Sequence, residues 1–189
     1  KKPEAQPFIT EFDQYLFGQG VHYEIYKKLG AHVAMKRGKK GVYFAVWAPD
    51  AARVCLVGDF NGWDREADPM TRLEPLGIHE LFVPGMKEGA LYKYAVTGQD
   101  GKTILKRDPY GFSAEMRPST ASKVASIDGF KWSDNRWIDK RAQSKFQKEP
   151  MAIYEMHPGS WKKHTPENED DPGFYNFREL APELVTYLK

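Results

Sequence analysis

The sequence has little cysteine, no long apolar run and no excess of one charge. A single cysteine, Cys55, among 189 residues excludes an internal disulfide framework and a zinc site built from several cysteines, and it fits a reducing compartment. No stretch approaches the ~18 consecutive apolar residues of a membrane span. The 28 Lys and Arg against 26 Asp and Glu argue against nucleic acid as a partner, which requires clustered, unopposed basic residues.

Aromatic residues and turn formers are plentiful. Aromatics make up 14% of the chain, with five Trp and ten Tyr, and 16 Gly and 13 Pro are spread along it. Hydrophobic residues at 41% and charged residues at 29% are typical of a folded soluble protein with a core. Together these features predict short strands joined by turns, with planar side chains available for binding.

Short runs of β-branched and aromatic residues, separated by turn residues, predict a mainly β domain over residues 29–108. The predicted strands are 29–35, 42–48, 53–57, 70–73, 78–83, 91–97 and 103–106. Residues 36–41 predict a hairpin tip. In the strand over 91–97, Tyr92, Tyr94 and Val96 share one face, the predicted core side, and Lys93 lies on the other. The spacing is typical of an immunoglobulin-like antiparallel β-sandwich.

Three other segments flank this domain. Residues 1–28 form a lead-in with a helix that begins at Thr10. Residues 109–150 are predicted to be a linker with a short helix over 134–145. Residues 151–189 predict a buried strand at 151–156 and an amphipathic helix capped by Asn176. A strand followed by a helix is typical of the opening of a TIM-type barrel, which needs eight such βα units.

The predicted last helix reaches Lys189 with no Gly or Asn after it as a C-cap. We interpret the chain as a piece of a longer protein. The alternative is a short terminal helix that ends there.

Several runs carry a family resemblance, which extends from about Leu16 to Lys189. Residues 59–64 (D-F-N-G-W-D), followed by 91–94 (L-Y-K-Y), resemble the glycogen-binding-type module that precedes the barrel of alpha-amylase superfamily enzymes. Within that superfamily the chain resembles the 1,4-alpha-glucan (glycogen) branching enzymes through residues 41–49, 107–110, 116–122, 154–161 and 178–181.

The resemblance implies an N-terminal fragment of an enzyme that cleaves α-1,4 glucan and transfers the chain to a 6-hydroxyl. It implies a retaining mechanism with two carboxyl groups ~5–5.5 Å apart, an α-glucan partner, no cofactor, a cytoplasmic location and a monomeric parent. The family's catalytic signatures are absent here, so no catalytic residue is assigned and the fragment is expected to be inactive.

Two other functions stay open at this point. One is a stand-alone glucan-binding adaptor, which would need no βα segment after the sandwich. The other is a fragment of a debranching or trehalose-releasing enzyme of the same superfamily.

Three residues are candidates for carbohydrate binding. Trp63 can stack on a glucose ring, or it can fold back onto the sandwich. Lys93 matches a family position that donates to sugar hydroxyls, or it is an ordinary solvated strand lysine. Asn61 can bond to sugar, although Asn-Gly is first of all a turn signal. The stretch 98–101 lacks the second Trp that related modules often carry, so we expect weak binding at most.

No metal site is predicted. The acidic run over 167–171 lacks the ligand spacing of a calcium loop, and we interpret it as a solvated loop. Glu155 and His157 could suggest an acid–base pair, but structural hydrogen bonds are the preferred interpretation. Cys55 is expected to act as an inert small hydrophobe.

Overall fold

A computed structural model describes residues 8–189 of the chain. They form two compact units that divide after Lys131. Within the described residues, none of the helices has the length and apolar content needed to cross a bilayer.

The first unit contains two antiparallel sheets, which confirms the predicted β-sandwich. One sheet has the order β1 (Gly30–Lys36), β2 (Lys39–Trp47), β6 (Ile78–Pro84) and β5 (Thr71–Leu73). The other has the order β4 (Asp68–Pro69), β3 (Arg53–Gly58), β7 (Leu91–Thr97), β10 (Ser122–Lys123) and β9 (Ser113–Ala114), and β8 (Thr103–Lys106) also pairs with β7. All seven predicted strands are present, with shifts of at most three residues at their ends.

A two-residue turn joins β1 to β2. Lys36 pairs with Lys39, and the intervening Arg37 and Gly38 both have positive φ, 50° and 77°. Such turns match the right-handed twist of the strands they join. The predicted hairpin tip is therefore confirmed.

The core lies between the two sheets. Phe44 of β2 and Tyr92 of β7 meet edge to face, with ring centroids 4.9 Å apart. Tyr92 and Tyr94 are fully buried and Val96 packs against the same cluster. The inward face predicted for β7 is thus confirmed.

The lead-in segment covers part of the outer face of the first sheet. Helix α1 (Glu11–Gly18) begins with the predicted cap: the Thr10 hydroxyl accepts from the Asp13 N–H at 3.1 Å, and the Asp13 carboxylate accepts from the Thr10 N–H at 2.8 Å. The same carboxylate contacts His22 at 2.9 Å and Lys28 at 3.1 Å. Burial opposes ionisation of Asp13, but these hydrogen bonds outweigh it and hold the pKa of Asp13 well below its usual range.

A second buried carboxylate, Asp108, joins the end of the sandwich to the segment that follows. Its Oδ2 accepts from the Tyr92 and Tyr94 hydroxyls at 2.6 and 3.0 Å, and its Oδ1 accepts from the Tyr110 N–H at 2.8 Å. The Asp108 N–H donates to Ser122 Oγ at 3.0 Å. Burial raises the pKa of Asp108, and the donated hydrogen bonds oppose that rise.

The segment predicted as a linker over 109–150 therefore begins inside the sandwich. Its first part contributes β9 and β10, and β10 pairs with β7 at Tyr92 and Leu91. Two-residue strands carry too short an alternation to be read from sequence. The domain boundaries proposed from the sequence remain a proposal.

The second unit, residues 132–189, contains three helices: α2 (Asn135–Gln143), α3 (Pro158–Trp161) and α4 (Phe177–Leu188). Helix α2 matches the helix predicted over 134–145. Helix α4 begins at the predicted cap, because Asn176 Oδ1 accepts from the N–H groups of Arg178 and Glu179 at 2.9 and 3.1 Å.

The buried strand predicted over 151–156 is wrong for this chain. The segment is irregular, and Met151 and Ile153 are 63% and 82% exposed. A strand requires a neighbour to take its backbone hydrogen bonds. Within the described residues of the second unit, the β pairing is limited to one isolated bridge between Lys163 and Phe174. Of the strand and the helix predicted for residues 151–189, the structure contains the helix alone.

Replacing Asp108 by alanine is expected to lower the free energy of unfolding by about 3 kcal/mol, because two buried tyrosine hydroxyls lose their acceptor. Thermal or urea unfolding followed by circular dichroism measures this loss. Asp50→Ala, at an exposed position, is the matched control. Equal melting temperatures for the two variants would contradict the structural importance of Asp108.

Candidate functional site

The loop after β3 holds the candidate site. Residues Asp59–Asn61 form one 3-10 turn, and Gly62 and Trp63 then both have left-handed backbones, with φ of 63° and 61°. A left-handed conformation is unfavourable for a residue with a bulky side chain. The loop holds it in place, because the Trp63 N–H donates to the Gly58 carbonyl at 2.9 Å.

Asn61 holds the loop from within. Its Nδ2 donates to the Leu56 carbonyl at 3.0 Å and to Asp68 Oδ2 at 2.7 Å, while its Oδ1 accepts from the Gly58 N–H at 3.0 Å. Both amide donors are therefore engaged inside the protein. This arrangement positions the neighbouring Trp63, and the sugar contact predicted for Asn61 stays a prediction.

Trp63 folds back onto the outer face of the second sheet. It packs against a small buried cluster of Cys55, Val57 and Ala95, and its Nε1 donates to Asp59 Oδ1 at 2.8 Å. The side chain is half-buried, so part of it remains open to solvent. The two functions considered for this residue, covering the sandwich and presenting an aromatic surface, are geometrically compatible.

Lys93 lies beside Trp63. It is opposite Val57 in the β3–β7 register, on the outer face that the alternation predicts. Its Nζ is 5.9 Å from the Trp63 ring centroid and donates to Thr120 Oγ1 at 2.7 Å. The fold therefore brings an aromatic ring and a held cation together on one surface, which we call the Trp63 surface, defined by Trp63, Lys93 and Thr120.

Two residues that hold Trp63 and Lys93 in place are absent from the sequence prediction. Asp59 precedes Trp63 by four positions and accepts from its indole N–H. This short separation in sequence was the signal that could have indicated the contact. Thr120 is 27 positions from Lys93, so no local pattern connects them.

The other reactive or charged residues considered in the sequence make contacts within the protein. Burial raises the pKa of the Cys55 thiol, which keeps it in its unreactive form. His157 contacts Ser160 Oγ at 3.1 Å, and Asp171 of the acidic run accepts from the Glu167 and Gly173 N–H groups at 2.9 and 2.8 Å. Within residues 8–189, no group of three or more His, Cys, Asp or Glu is arranged to hold a metal ion.

Replacing Asn61 by alanine is expected to destabilise the chain by about 1–3 kcal/mol, since the Leu56 carbonyl and Gly58 N–H lose their partners. It should also speed hydrogen exchange at the Gly58 and Trp63 amides, measured by NMR. Asn135→Ala, at an exposed position of α2, is the control. Unchanged exchange in Asn61→Ala would show that this side chain does not hold the loop.

Known proteins are similar to the sandwich alone and to nearly the whole chain. The profile of carbohydrate-binding module 48 (isoamylase N-terminal domain) matches residues 28–111, which include β1 to β8. The 1,4-alpha-glucan branching enzyme of Butyrivibrio fibrisolvens is 53% identical over 182 residues, which is 96% of this chain and 28% of that protein. That of Protochlamydia amoebophila is 50% identical over 181 residues, 96% of this chain and 24% of that protein.

Among solved structures, a Klebsiella pneumoniae pullulanase complexed with maltotriose is 31% identical over 53% of this chain and 10% of that chain, with a TM-score of 0.44. The chain spans about a quarter of the length of the branching enzymes that it matches. Residues 28–111 of the sandwich are thus similar to carbohydrate-binding module 48, and the chain as a whole is similar to a part of the 1,4-alpha-glucan branching enzymes.

Proposed function

We propose that this chain is the glucan-binding part of a 1,4-alpha-glucan branching enzyme and that α-glucan binds at the Trp63 surface. The observation that supports this most is the pairing of Trp63 with Lys93 on a face of the family 48 module. An aromatic ring offers its π face to the CH groups of a glucose ring, and an ammonium group donates to the sugar hydroxyls.

The loop prepares this surface before a ligand arrives. Asp59 fixes the indole through its N–H, Asn61 fixes the turn beneath it, and Thr120 fixes the Lys93 ammonium. Because these groups are already ordered, binding costs less conformational entropy. The surface has one Trp and, at residues 98–101, a turn with no aromatic residue, so the affinity for a linear maltooligosaccharide is weak.

The parent enzyme would cut an α-1,4 bond and transfer the chain to a 6-hydroxyl. A retaining double displacement requires a carboxylate nucleophile and an acid ~5–5.5 Å apart, and we assign neither group to this chain. Residues 151–189 would then supply the opening of the catalytic barrel, with a neighbouring strand needed to order residues 151–156. A monomeric, cytoplasmic parent completes the proposal, and the single Cys55 of this chain fits a reducing compartment.

Similarity beyond the sandwich favours this proposal over a stand-alone adaptor. The branching enzymes align with 96% of the chain, so the alignment includes most of residues 132–189. An adaptor has no need of that segment. The same relatives favour a branching enzyme over a debranching or trehalose-releasing one.

Trp63→Ala is expected to raise the dissociation constant for maltoheptaose about tenfold, because stacking contributes about 1.4 kcal/mol. Lys93→Ala should cause a smaller rise. NMR titration of the 189-residue chain measures both, and Trp137→Ala, an exposed Trp of α2, is the matched control. Binding at unchanged affinity in Trp63→Ala would remove the Trp63 surface as the site.

The 189-residue chain alone is expected to show no branching activity, since it carries no assigned nucleophile or acid. The assay is the iodine absorbance of amylose during incubation, with the Butyrivibrio fibrisolvens branching enzyme as the positive control. A fall in absorbance caused by this chain would overturn the division between binding part and catalytic part.

A further inference from the structure

The outer face of the first sheet carries a second cleft, on the side of the sandwich opposite to the Trp63 surface. Its volume is about 450 Å³, enough for one or two hexose units. The residues that line it include Lys36, Arg37, Lys39, Thr71, Glu80 and Phe82. We call it the Phe82 cleft.

An aromatic ring lies against the sheet in this cleft because position 41 is glycine. A Cβ atom at Gly41 would be 2.3 Å from the Val83 carbonyl oxygen and 2.8 Å from Cζ of Phe82, closer than real contacts allow, so a larger residue would displace both the neighbouring strand and the ring. Phe82 also packs against the buried cluster that includes Tyr43 and Ile78. The Lys36 ammonium is 5.9 Å from the ring centroid. The result is a held aromatic platform with a cation beside it.

A carboxylate with an unused acceptor is next to this platform. Glu80 is on β6 two residues before Phe82, so both side chains lie on the outer face. Its Oε2 is buried, and no donor among residues 8–189 reaches it. Burial raises the pKa of Glu80, while the charge of Lys36 opposes that rise. An unpaired buried acceptor is costly, so a rotation of the Glu80 side chain that turns this oxygen toward a ligand hydroxyl would remove that cost.

The rim of the cleft is basic. Arg37 lies in the two-residue turn between β1 and β2, and Lys36 and Lys39 are the paired residues that close that turn. All three cations therefore belong to one short hairpin.

The mixed charge selects the kind of ligand. An anion would meet the Glu80 carboxylate, and a cation would meet Lys36, Arg37 and Lys39. A neutral polyol can donate to the carboxylate, accept from the cations and stack on Phe82. This combination of an aromatic platform with acceptors and donors at its edge fits a sugar ring.

We propose that the Phe82 cleft is a second α-glucan site, in which a glucose ring stacks on Phe82, donates to Glu80 and accepts from Lys36 or Arg37. The identity of the ligand rests on the proposed function; the site itself does not use the Trp63 surface. Two sites on opposite faces of one module would engage separate branches of a polymer, and the resulting avidity would offset weak single-site binding.

The test is an NMR titration of the 189-residue chain with maltoheptaose, in variants that separate the two surfaces. Phe82→Leu keeps the apolar contacts but removes the ring, Glu80→Gln keeps the shape but removes the charge, and Phe146→Leu at an exposed position is the matched control. In a Trp63→Ala background we expect residual shifts confined to β6 and the hairpin of β1 and β2. Adding Phe82→Leu should weaken that residual binding about tenfold, and adding Glu80→Gln should weaken it severalfold, with melting temperatures near that of the background chain.

The outcomes distinguish this proposal from the previous one. Shifts that vanish with Trp63→Ala, or residual binding that Phe82→Leu leaves intact, would overturn the Phe82 cleft and leave the Trp63 surface standing. Shifts at the hairpin with none near Trp63 would overturn the Trp63 surface alone. Inorganic phosphate that shifts the hairpin amides where maltoheptaose does not would identify an anion site and overturn the sugar assignment.

Discussion

The Asp108 carboxylate is the constraint on which the sandwich and its binding surface depend. It lies inside the protein with two tyrosine hydroxyls and one backbone N–H directed at it, while its own N–H is held by Ser122. A buried charge is tolerated only when it is satisfied in this way. The network therefore fixes β7 and the segment from Asp108 to Ser122 as one piece. Because Thr120 lies in that segment, the partner of Lys93 is also positioned from the core.

The binding loop keeps the backbone of Trp63 in a strained conformation. Trp63 has a left-handed conformation that costs free energy, and the hydrogen bonds of Asn61 and Asp59 maintain it. A relaxed loop could satisfy the same donors without presenting an indole over the sheet. Strain of this kind is usually found where a side chain must be held in one orientation, which agrees with the binding role proposed for Trp63.

Sequence patterns predicted most of the sandwich because its strands are short runs of β-branched and aromatic residues between turn residues, and central strands such as β2 and β3 are buried on both faces. They predicted Trp63, Lys93 and Asn61 as candidates, but they could not show that Asn61 is directed inward, since an Asn-Gly pair indicates a turn and not the direction of its amide. The prediction of a strand over 151–156 is wrong because apolar residues form a strand only where a neighbouring strand takes their backbone hydrogen bonds. Thr120 and the Phe82 cleft were missed because both depend on residues that are distant in sequence.

The packing of Trp63 over Cys55 has a practical consequence. Cys55 is the single thiol of the chain, and it lies buried beneath the indole. A small thiol reagent can reach it only when the loop lifts from the sheet, or when the sheet itself opens. The rate of that reaction therefore reports the opening of the binding loop or of the sheet beneath it, and the protein contains its own dynamic probe without any engineered label.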